Sequence, residues 1–349
     1  MTAKQKKVYV GMSGGVDSSL SAALLVEQGY EVVGVYMKNW TQDLPGLKCP
    51  WADDLADAKR VAVKLEIDLK VFDFENEYRQ KVVEYMIEEY KSGRTPNPDI
   101  MCNQEVKFRL FLDTALEDGA DMIATGHYSR VEDGQLLKAV DDNKDQTYFL
   151  YRVSGEALKR TLFPIGEFKK SKVRKMAEER GLSTAAKKDS QGICFVGQVG
   201  IRDFLRQYVQ TEPGDIIDKT SGKKLGRHDG AIFYTLGQRH GLDVGGGLPY
   251  YVVGKDMDKN EVYVTTDLND QTLWKSTIKL HSVHWISEAP SDGKYQIRVR
   301  HRAALVDADI KQGEAGIELE LDQPQRAVTA GQSVVIYDGD VCLGGGVVK

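Results

Sequence analysis

Cysteine is scarce in this sequence: four among 349 residues, at positions 49, 102, 194 and 342, with no CxxC pair. That scarcity excludes a disulfide framework and a simple zinc site, and it points to a reducing, cytoplasmic setting. No apolar run approaches the length of a membrane span. The start, MTAKQKKVYV, reads as a short basic lead into a strand rather than a secretory leader. Excess positive charge is lacking too. The formal net charge is −5 and both halves are mildly acidic, so bulk charge gives a nucleic-acid partner no support. Such a partner would have to be met by local basic stretches. These are Lys169, Lys170, Lys172, Arg174 and Lys175, then Lys187 with Lys188, then Arg298, Arg300, His301 and Arg302. Each, taken alone, reads first as a solvated face. Internal repeats and low-complexity tracts are also missing.

What is present is an ordinary globular mix, 41% hydrophobic and 28% charged, with length for two or three domains. Its densest signal is KVYVGMSGGVDSSLSAALL, residues 7–25. Val8 to Met12 reads as a short buried strand and Leu20 to Val26 as a helix, with a glycine-rich turn between them. That geometry puts backbone N–H groups and a helix N-terminus on one anionic group. Gly14 and Gly15 permit a sharp turn, Ser13, Ser18 and Ser19 add hydroxyls, and Asp17 would hold a cation or cap the helix. No lysine follows Gly15, which excludes a Walker A loop. The string SGGVDSS instead resembles the pyrophosphate loop of the ATP pyrophosphatases, which split ATP into AMP and pyrophosphate.

Strands at 31–40, 69–74 and 121–128 alternate with helical patterns at 53–67 and 75–93. The expected fold is therefore α/β, a doubly wound parallel sheet with ligands at its C-terminal strand ends. The loop at Ser13–Ser18, Met37, and Gly126 with His127 all fall at such ends. In RTPNPDIMCNQEVKF, 94–108, Pro96 and Pro98 are expected to keep the chain non-helical until Asn103. Asp99 and Cys102 would then stand at or just before a helix start. A basic helix over 167–181 leads into STAAKKDSQGICFVG, where Cys194 sits between glycine-bearing turns. Beyond about residue 210, short alternating strands with glycine punctuation give two small β domains, the last barrel-like. The expected division is 1–208, 209–277 and 278–349.

Taken together, GMSGGVDSS, GRTPNPDIMCNQEVKF, ATGHYSR, KDQTYFL, KDSQGICFVG, LGQRHGL and YDGDVCLGGG resemble the tRNA-specific 2-thiouridylases over essentially the whole chain. The resemblance implies a transferase that replaces the C2 oxygen of the wobble uridine by sulfur. ATP, carried with Mg²⁺, would adenylate that oxygen. Gly11, Met12, Ser13, Gly14, Gly15, Val16, Asp17, Ser18, Met37 and Gly126 would bind it. Cys194 would carry sulfur as a persulfide, and Cys102 would cleave the S–S link, leaving a Cys102–Cys194 disulfide; in a variant, Cys102 releases sulfide first. Asp99 would shuttle a proton at the base. The implied tRNA contacts are Asn97, Pro98, Asp99, His127, Lys144, Asp145, Gln146, Arg298, Val299 and Gln332. Val299 departs from the family, which commonly has an aromatic there. His127, directly after Gly126, is alternatively a partner of the ATP phosphates. The implied partners are glutamate, glutamine and lysine tRNAs and a cysteine desulfurase or persulfide relay protein, with no membrane. No protein-held metal site is assigned, but Asp99, Cys102 and Cys194 would supply three ligands if an iron–sulfur cluster were used instead. The rivals are another ATP-pyrophosphatase ligase or tRNA thiolase, and an ATP-responsive RNA-binding protein without catalysis. Cys49 and Cys342 read as structural.

Overall fold

The computed structural model describes residues 5–43, 49–188, 200–245, 247–313 and 316–349. Cys194 lies outside the described residues. The chain opens with β1 (Lys7–Gly11), α1 (Val16–Glu27), β2 (Glu31–Lys38), α2 (Trp51–Leu65) and β3 (Asp68–Asp73). A helical arm follows: α3 (Glu75–Tyr78), a π-helical run Arg79–Glu84 and α4 (Tyr85–Lys91). Next come α5 (Pro98–Met101), a second π-helical run Cys102–Leu110, and α6 (Phe111–Glu117). Then come β4 (Met122–Ala124), the hairpin β5 (Arg130–Glu132) and β6 (Gln135–Leu137), α7 (Thr147–Leu150) and α8 (Gly155–Lys159). β7 (Thr161–Leu162), α9 (Lys170–Glu179) and α10 (Ile201–Leu205) complete this part.

Five parallel strands run in the order β3-β2-β1-β4-β7. Alternation along β1 assigns its two faces. Val8 and Val10 pack with α1, α2 and α9 residues such as Leu20, Val61 and Val173. Tyr9 packs with the helical arm through Val82, Val106 and Phe111. The sheet is therefore covered on both sides, as the apolar strand runs require. Strand order reverses at β1, so the crevice between the ends of β1 and β4 is the place where ligands sit in this architecture.

One expectation fails locally. The chain is helical from Pro98, five residues ahead of Asn103. Proline is well tolerated at the first helical position, where no intrahelical N–H bond is lost. Asn97 caps the turn, its side-chain oxygen accepting from the Asp99 N–H at 3.1 Å. The expected strand at 121–128 is also shorter than its apolar run, covering only Met122–Ala124.

After α10, β8 (Gly214–Asp218), β9 (Lys224–His228), β10 (Tyr251–Asp256) and β11 (Glu261–Thr265) form a four-stranded sheet in the order β10-β11-β8-β9. It is docked through Phe204 and Leu205 of α10 and Ile232, which share the apolar cluster of Trp40 and Tyr90. The remaining strands are β12 (Trp274–Trp285), β13 (Gly293–Arg298), β14 (Val306–Gly313), β15 (Gly316–Arg326), β16 (Ser333–Asp338) and β17 (Val341–Val348). β12 starts a few residues ahead of the expected boundary at 278. It pairs with both β15 and β17, closing six antiparallel strands into a barrel. Among the described residues no helix is long and apolar enough to cross a membrane.

The barrel is joined to the first part by continuous sheet. The β5–β6 hairpin turns at Asp133 and Gly134, both with positive φ, and β6 adds to the free edge of β17 through Val341–Leu137 and Cys342–Leu136. The residues around α7 complete the junction. Asp145 Oδ2 accepts from Arg298 at 2.8 Å, with both side chains almost wholly buried, and the Thr147 hydroxyl donates to the same oxygen at 2.8 Å. The Tyr148 hydroxyl donates to the Ser333 carbonyl at 2.9 Å.

Removing one partner of a buried ion pair leaves the other charge uncompensated, which typically costs 3–5 kcal/mol. Asp145 keeps Thr147 and the Ala139 N–H as donors, which favours the lower end. Arg298→Ala is therefore expected to lower stability by about 3 kcal/mol, read as an earlier urea transition. A loss under about 1 kcal/mol would mean that apolar contacts alone hold the junction.

Candidate functional site

The loop between β1 and α1 lies at the sheet's crossover. Gly14 has φ +72°, and a Cβ there would collide with the Asp54 backbone at the start of α2. Gly126, just past β4, is equally constrained: a Cβ would fall 2.6 Å from the Ser18 nitrogen. Met37, at the end of β2, reaches over Gly11, whose Cβ would meet its Cε at 2.9 Å. The loop is held by its own hydroxyls. The Ser13 N–H donates to Ser18 Oγ at 3.2 Å, and the Ser19 hydroxyl donates to the Gly15 carbonyl at 2.7 Å. Gly15 caps α1 with extended backbone and brings no side chain to its first-turn N–H groups. Those groups have no intrahelical partner, and the helix dipole adds a partial positive charge, so this terminus suits an anion such as a phosphate.

Asp17 does not cap the helix, which sequence reasoning had left open. Its Oδ1 accepts from the Tyr128 hydroxyl at 2.8 Å. The Lys170 ammonium, brought in by α9, donates to both Asp17 oxygens at 2.7 and 2.8 Å. Lys187 also reaches the loop, donating to the Gly14 carbonyl at 3.1 Å and to Asp54 and Asp57 at 2.7 and 2.6 Å. The sequence alone does not assign Tyr128, Lys170 and Lys187 to the loop. Two of them lie in basic runs that look like solvated faces, and only the ATGHYSR string hinted at the third.

Asn97, Pro98, Asp99 and Cys102 lie on one helix start. Asp99 and Cys102 are three positions apart, hence on one face. Burial pushes the Asp99 carboxyl above the ordinary range, and nearby Lys107 pulls it partly back. Cys102 is 1% exposed and opens the π-helical run. Such wide turns are frequent at functional sites. The run is pinned to α7 and its sequel: Asn103 Nδ2 donates to the Phe149 carbonyl at 3.0 Å, and Arg152 Nε to Gln104 at 2.5 Å. Barrel residues brace the approach from the other side, the Thr95 N–H donating to the Ala330 carbonyl at 2.9 Å. Cys49 is half-buried against the same apolar cluster as Cys102, and Cys342, on barrel strand β17, is buried in that cluster too.

The other residues that the resemblance implied fall into two groups. His127 is buried among Phe108 and Phe163, with ring centroids 5.5 and 6.2 Å away, and its Nδ1 shares a 2.7 Å hydrogen bond with Thr125. Lys144, Asp145, Gln146, Arg298, Val299 and Gln332 lie along the junction with the barrel. Gln146 accepts from the Tyr128 N–H at 2.8 Å, which ties this segment to the loop's own tyrosine. Val299 faces the barrel core, and Gln332 folds back to accept from the Thr329 N–H at 3.1 Å. The Lys144 N–H donates to the Asp141 carbonyl at 2.9 Å. Among the described residues no three His, Cys, Asp or Glu side chains are grouped to hold a metal ion.

Three family models match in succession: a tRNA methyl transferase HUP domain over residues 6–198, a tRNA methyl transferase PRC-barrel domain over 202–266, and an aminomethyltransferase beta-barrel domain over 275–348. The chain is 48% identical to the tRNA-specific 2-thiouridylase MnmA of Pseudomonas aeruginosa, covering 100% of this chain and 96% of the relative. It is 49% identical to the protein of that name from Pseudomonas savastanoi pv. phaseolicola, covering 99% and 95%. Among solved structures, a 4-thiouridine synthetase–RNA complex with bound ATP aligns over 58% of this chain and 50% of that one. At 17% identity and a TM-score of 0.39, that distant likeness carries no weight here.

The surroundings of His127 set a pH dependence. Burial, and then Lys107, hold its folded value well below 6.5. Between the two values the unfolded chain binds the extra proton, so this histidine's contribution is lost as pH falls below 6.5. His127→Asn is expected to make stability less steep in acid, by up to about 1.4 kcal/mol per pH unit. An unchanged slope in urea titrations at several pH values would assign it to other groups.

Proposed function

The chain belongs to the tRNA-specific 2-thiouridylases, and from that premise we propose how its own residues carry the reaction. The protein is a sulfurtransferase that converts a uridine of tRNA to 2-thiouridine. The observation that carries the residue assignment is the uncapped α1 terminus at the sheet crossover, with Asp99 and Cys102 together on a second helix start. We take the chain as three units, 1–208 catalytic, 209–277 central and 278–349 barrel.

A uracil C2 carbonyl is a poor electrophile, and its oxygen must first become a leaving group. ATP binds with its β- and γ-phosphates at Gly11–Ser18 and its adenosine beside Met37 and Gly126. The uridine O2 attacks the α-phosphorus while Asp99 takes the N3 proton. The bond to the bridging oxygen breaks, and its electron pair leaves with pyrophosphate. Burial suits Asp99 to this task, because raising a carboxyl above its ordinary range makes it a stronger base. Mg²⁺ bound with ATP would be held by Asp17, the loop's carboxylate, and would supply charge neutralisation on the phosphates.

Sulfur arrives as a persulfide on Cys194. Its terminal sulfur adds to C2 and AMP is expelled, leaving C2–S–S–Cys194. Cys102, as thiolate, attacks the Cys194 sulfur. The S–S bond breaks, its electrons stay on the sulfur at C2, and Asp99 returns the proton to N3. A Cys102–Cys194 disulfide remains, and a cellular thiol must supply two electrons before the next turnover. The work is cytoplasmic, the donor is a cysteine desulfurase or a relay protein, and the acceptors are wobble uridines of glutamate, glutamine and lysine tRNAs. A single-stranded anticodon loop makes extrusion of the base cheap. Asn97 and Pro98 lie beside the target base. His127, Lys144, Asp145, Gln146, Arg298, Val299 and Gln332 shape the tRNA-facing junction. The buried members act by fixing the backbone there.

Nucleoside analysis of unmodified glutamate tRNA, after incubation with protein, Mg²⁺-ATP, a cysteine desulfurase and cysteine, tests the reading. It is expected to give 2-thiouridine with AMP and pyrophosphate. Cys102→Ser and Cys194→Ser are each expected to abolish thiolation while leaving tRNA affinity within about threefold, as expected for side chains that act in chemistry rather than binding. Full activity in either variant would overturn the disulfide route.

A further inference from the structure

We propose that Lys170 is the phosphate-binding cation of the loop, contributed from α9 because the loop contains none of its own. The inference rests on the ATP reading above and adds to it a residue and a charge.

The argument begins with a conflict of charge. SGGVDSS carries no cationic side chain and one carboxylate, at the second helical position. A polyphosphate bound at this terminus without a cation between them meets favourable N–H groups and an unfavourable Asp17. Lys170 answers the conflict by sitting on both oxygens of Asp17, at 2.7 and 2.8 Å. The ammonium lies 5.6 Å from the centroid of the Tyr128 ring, and the Tyr128 hydroxyl is bonded to the same carboxylate. Both groups converge on one oxygen pair at the mouth of the loop.

The arm that brings Lys170 there is built firmly. Lys170 is the first residue of α9, and its N–H donates to Asp141 Oδ2 at 2.8 Å. Val173, Met176 and Ala177 of α9 are buried in the cluster that also holds Leu20 and Leu24 of α1. Backbone and loop are thus in fixed register, and only the flexible four-carbon stem has freedom, which suits an ammonium that changes partners.

When ATP is bound, Lys170 shifts from Asp17 to the oxygens of the β- and γ-phosphates. During adenylation the bond from the α-phosphorus to the bridging oxygen breaks and its electron pair goes to pyrophosphate. The ammonium stands where that charge accumulates, and no proton or further reactant is required. A preorganised charge aimed at the departing group is worth about 10²–10³ in rate.

The test uses the full chain and inorganic pyrophosphate. Calorimetry of pyrophosphate binding, initial rates of AMP formation with tRNA, and tRNA affinity are compared for wild type, Lys170→Met, Lys170→Arg and Asp17→Asn/Lys170→Met. Lys170→Met is expected to weaken pyrophosphate about 30-fold and lower kcat about 100-fold, with tRNA affinity unchanged. Lys170→Arg should keep pyrophosphate affinity within about tenfold, because it retains the charge. If Lys170 serves only to neutralise Asp17, the double variant regains wild-type affinity for metal-free pyrophosphate, and the proposal fails. Equal pyrophosphate binding by wild type and Lys170→Met overturns the lysine's role alone. A wild type that binds no pyrophosphate overturns the loop reading with it.

Discussion

The close approach of two backbones at the sheet crossover is the constraint on which the rest of this structure depends. Gly126, leaving β4, lies against the first turn of α1 with no room for a Cβ, and Gly14 is pressed in the same way against α2. These contacts fix where α1 begins, and so where its unpaired N–H groups point. The groups of the loop are arranged around that point: the serine hydroxyls within it, Met37 over Gly11, and the two lysines that arrive from later in the chain. A looser crossover would leave the same residues present and their geometry undefined.

A second organising device is the way the barrel is fastened. It is not an appended module on a linker. The β5–β6 hairpin from the middle of the catalytic unit extends the barrel's sheet, and the segment around α7 sends Asp145, Thr147 and Tyr148 into contact with Arg298, Tyr337 and Ser333. Because Asn103 and Gln104 are bonded to the Phe149 carbonyl and Arg152, the helix start bearing Asp99 and Cys102 is indirectly referenced to the barrel. A tRNA that touches the barrel would therefore be positioned relative to the thiol through a continuous chain of hydrogen bonds and paired strands.

Much of this was legible in the sequence because glycine and hydrophobic patterning have narrow physical meanings. SGGVDSS between an apolar run and a helical one admits few geometries, and the β1, β2 and β3 runs could hardly be anything else. α5 starts earlier than expected because a proline preceded by asparagine marks a first helical position as readily as a break. The β5–β6 hairpin was passed over although Asp133-Gly134 is a strong two-residue turn signal. Its flanking strands are only three residues each, too short for alternation to register. Lys170 was unreadable in principle. A lysine in a basic run looks solvated until the fold shows which loop its helix runs beside.

The shared sheet has a consequence for how the protein is made. The β5–β6 hairpin emerges from the ribosome about two hundred residues before β17, the strand whose edge it will join. Until that strand exists, the catalytic unit carries an unpaired edge and an Asp145 with no Arg298 to neutralise it. Closure thus waits on a contact of very high sequence separation, which is slow to form and leaves the intermediate open to wrong pairing. The same delay makes completeness self-reporting. A chain cut short before its last strand lacks not only the barrel but also the junction that stiffens its own thiol-bearing helix.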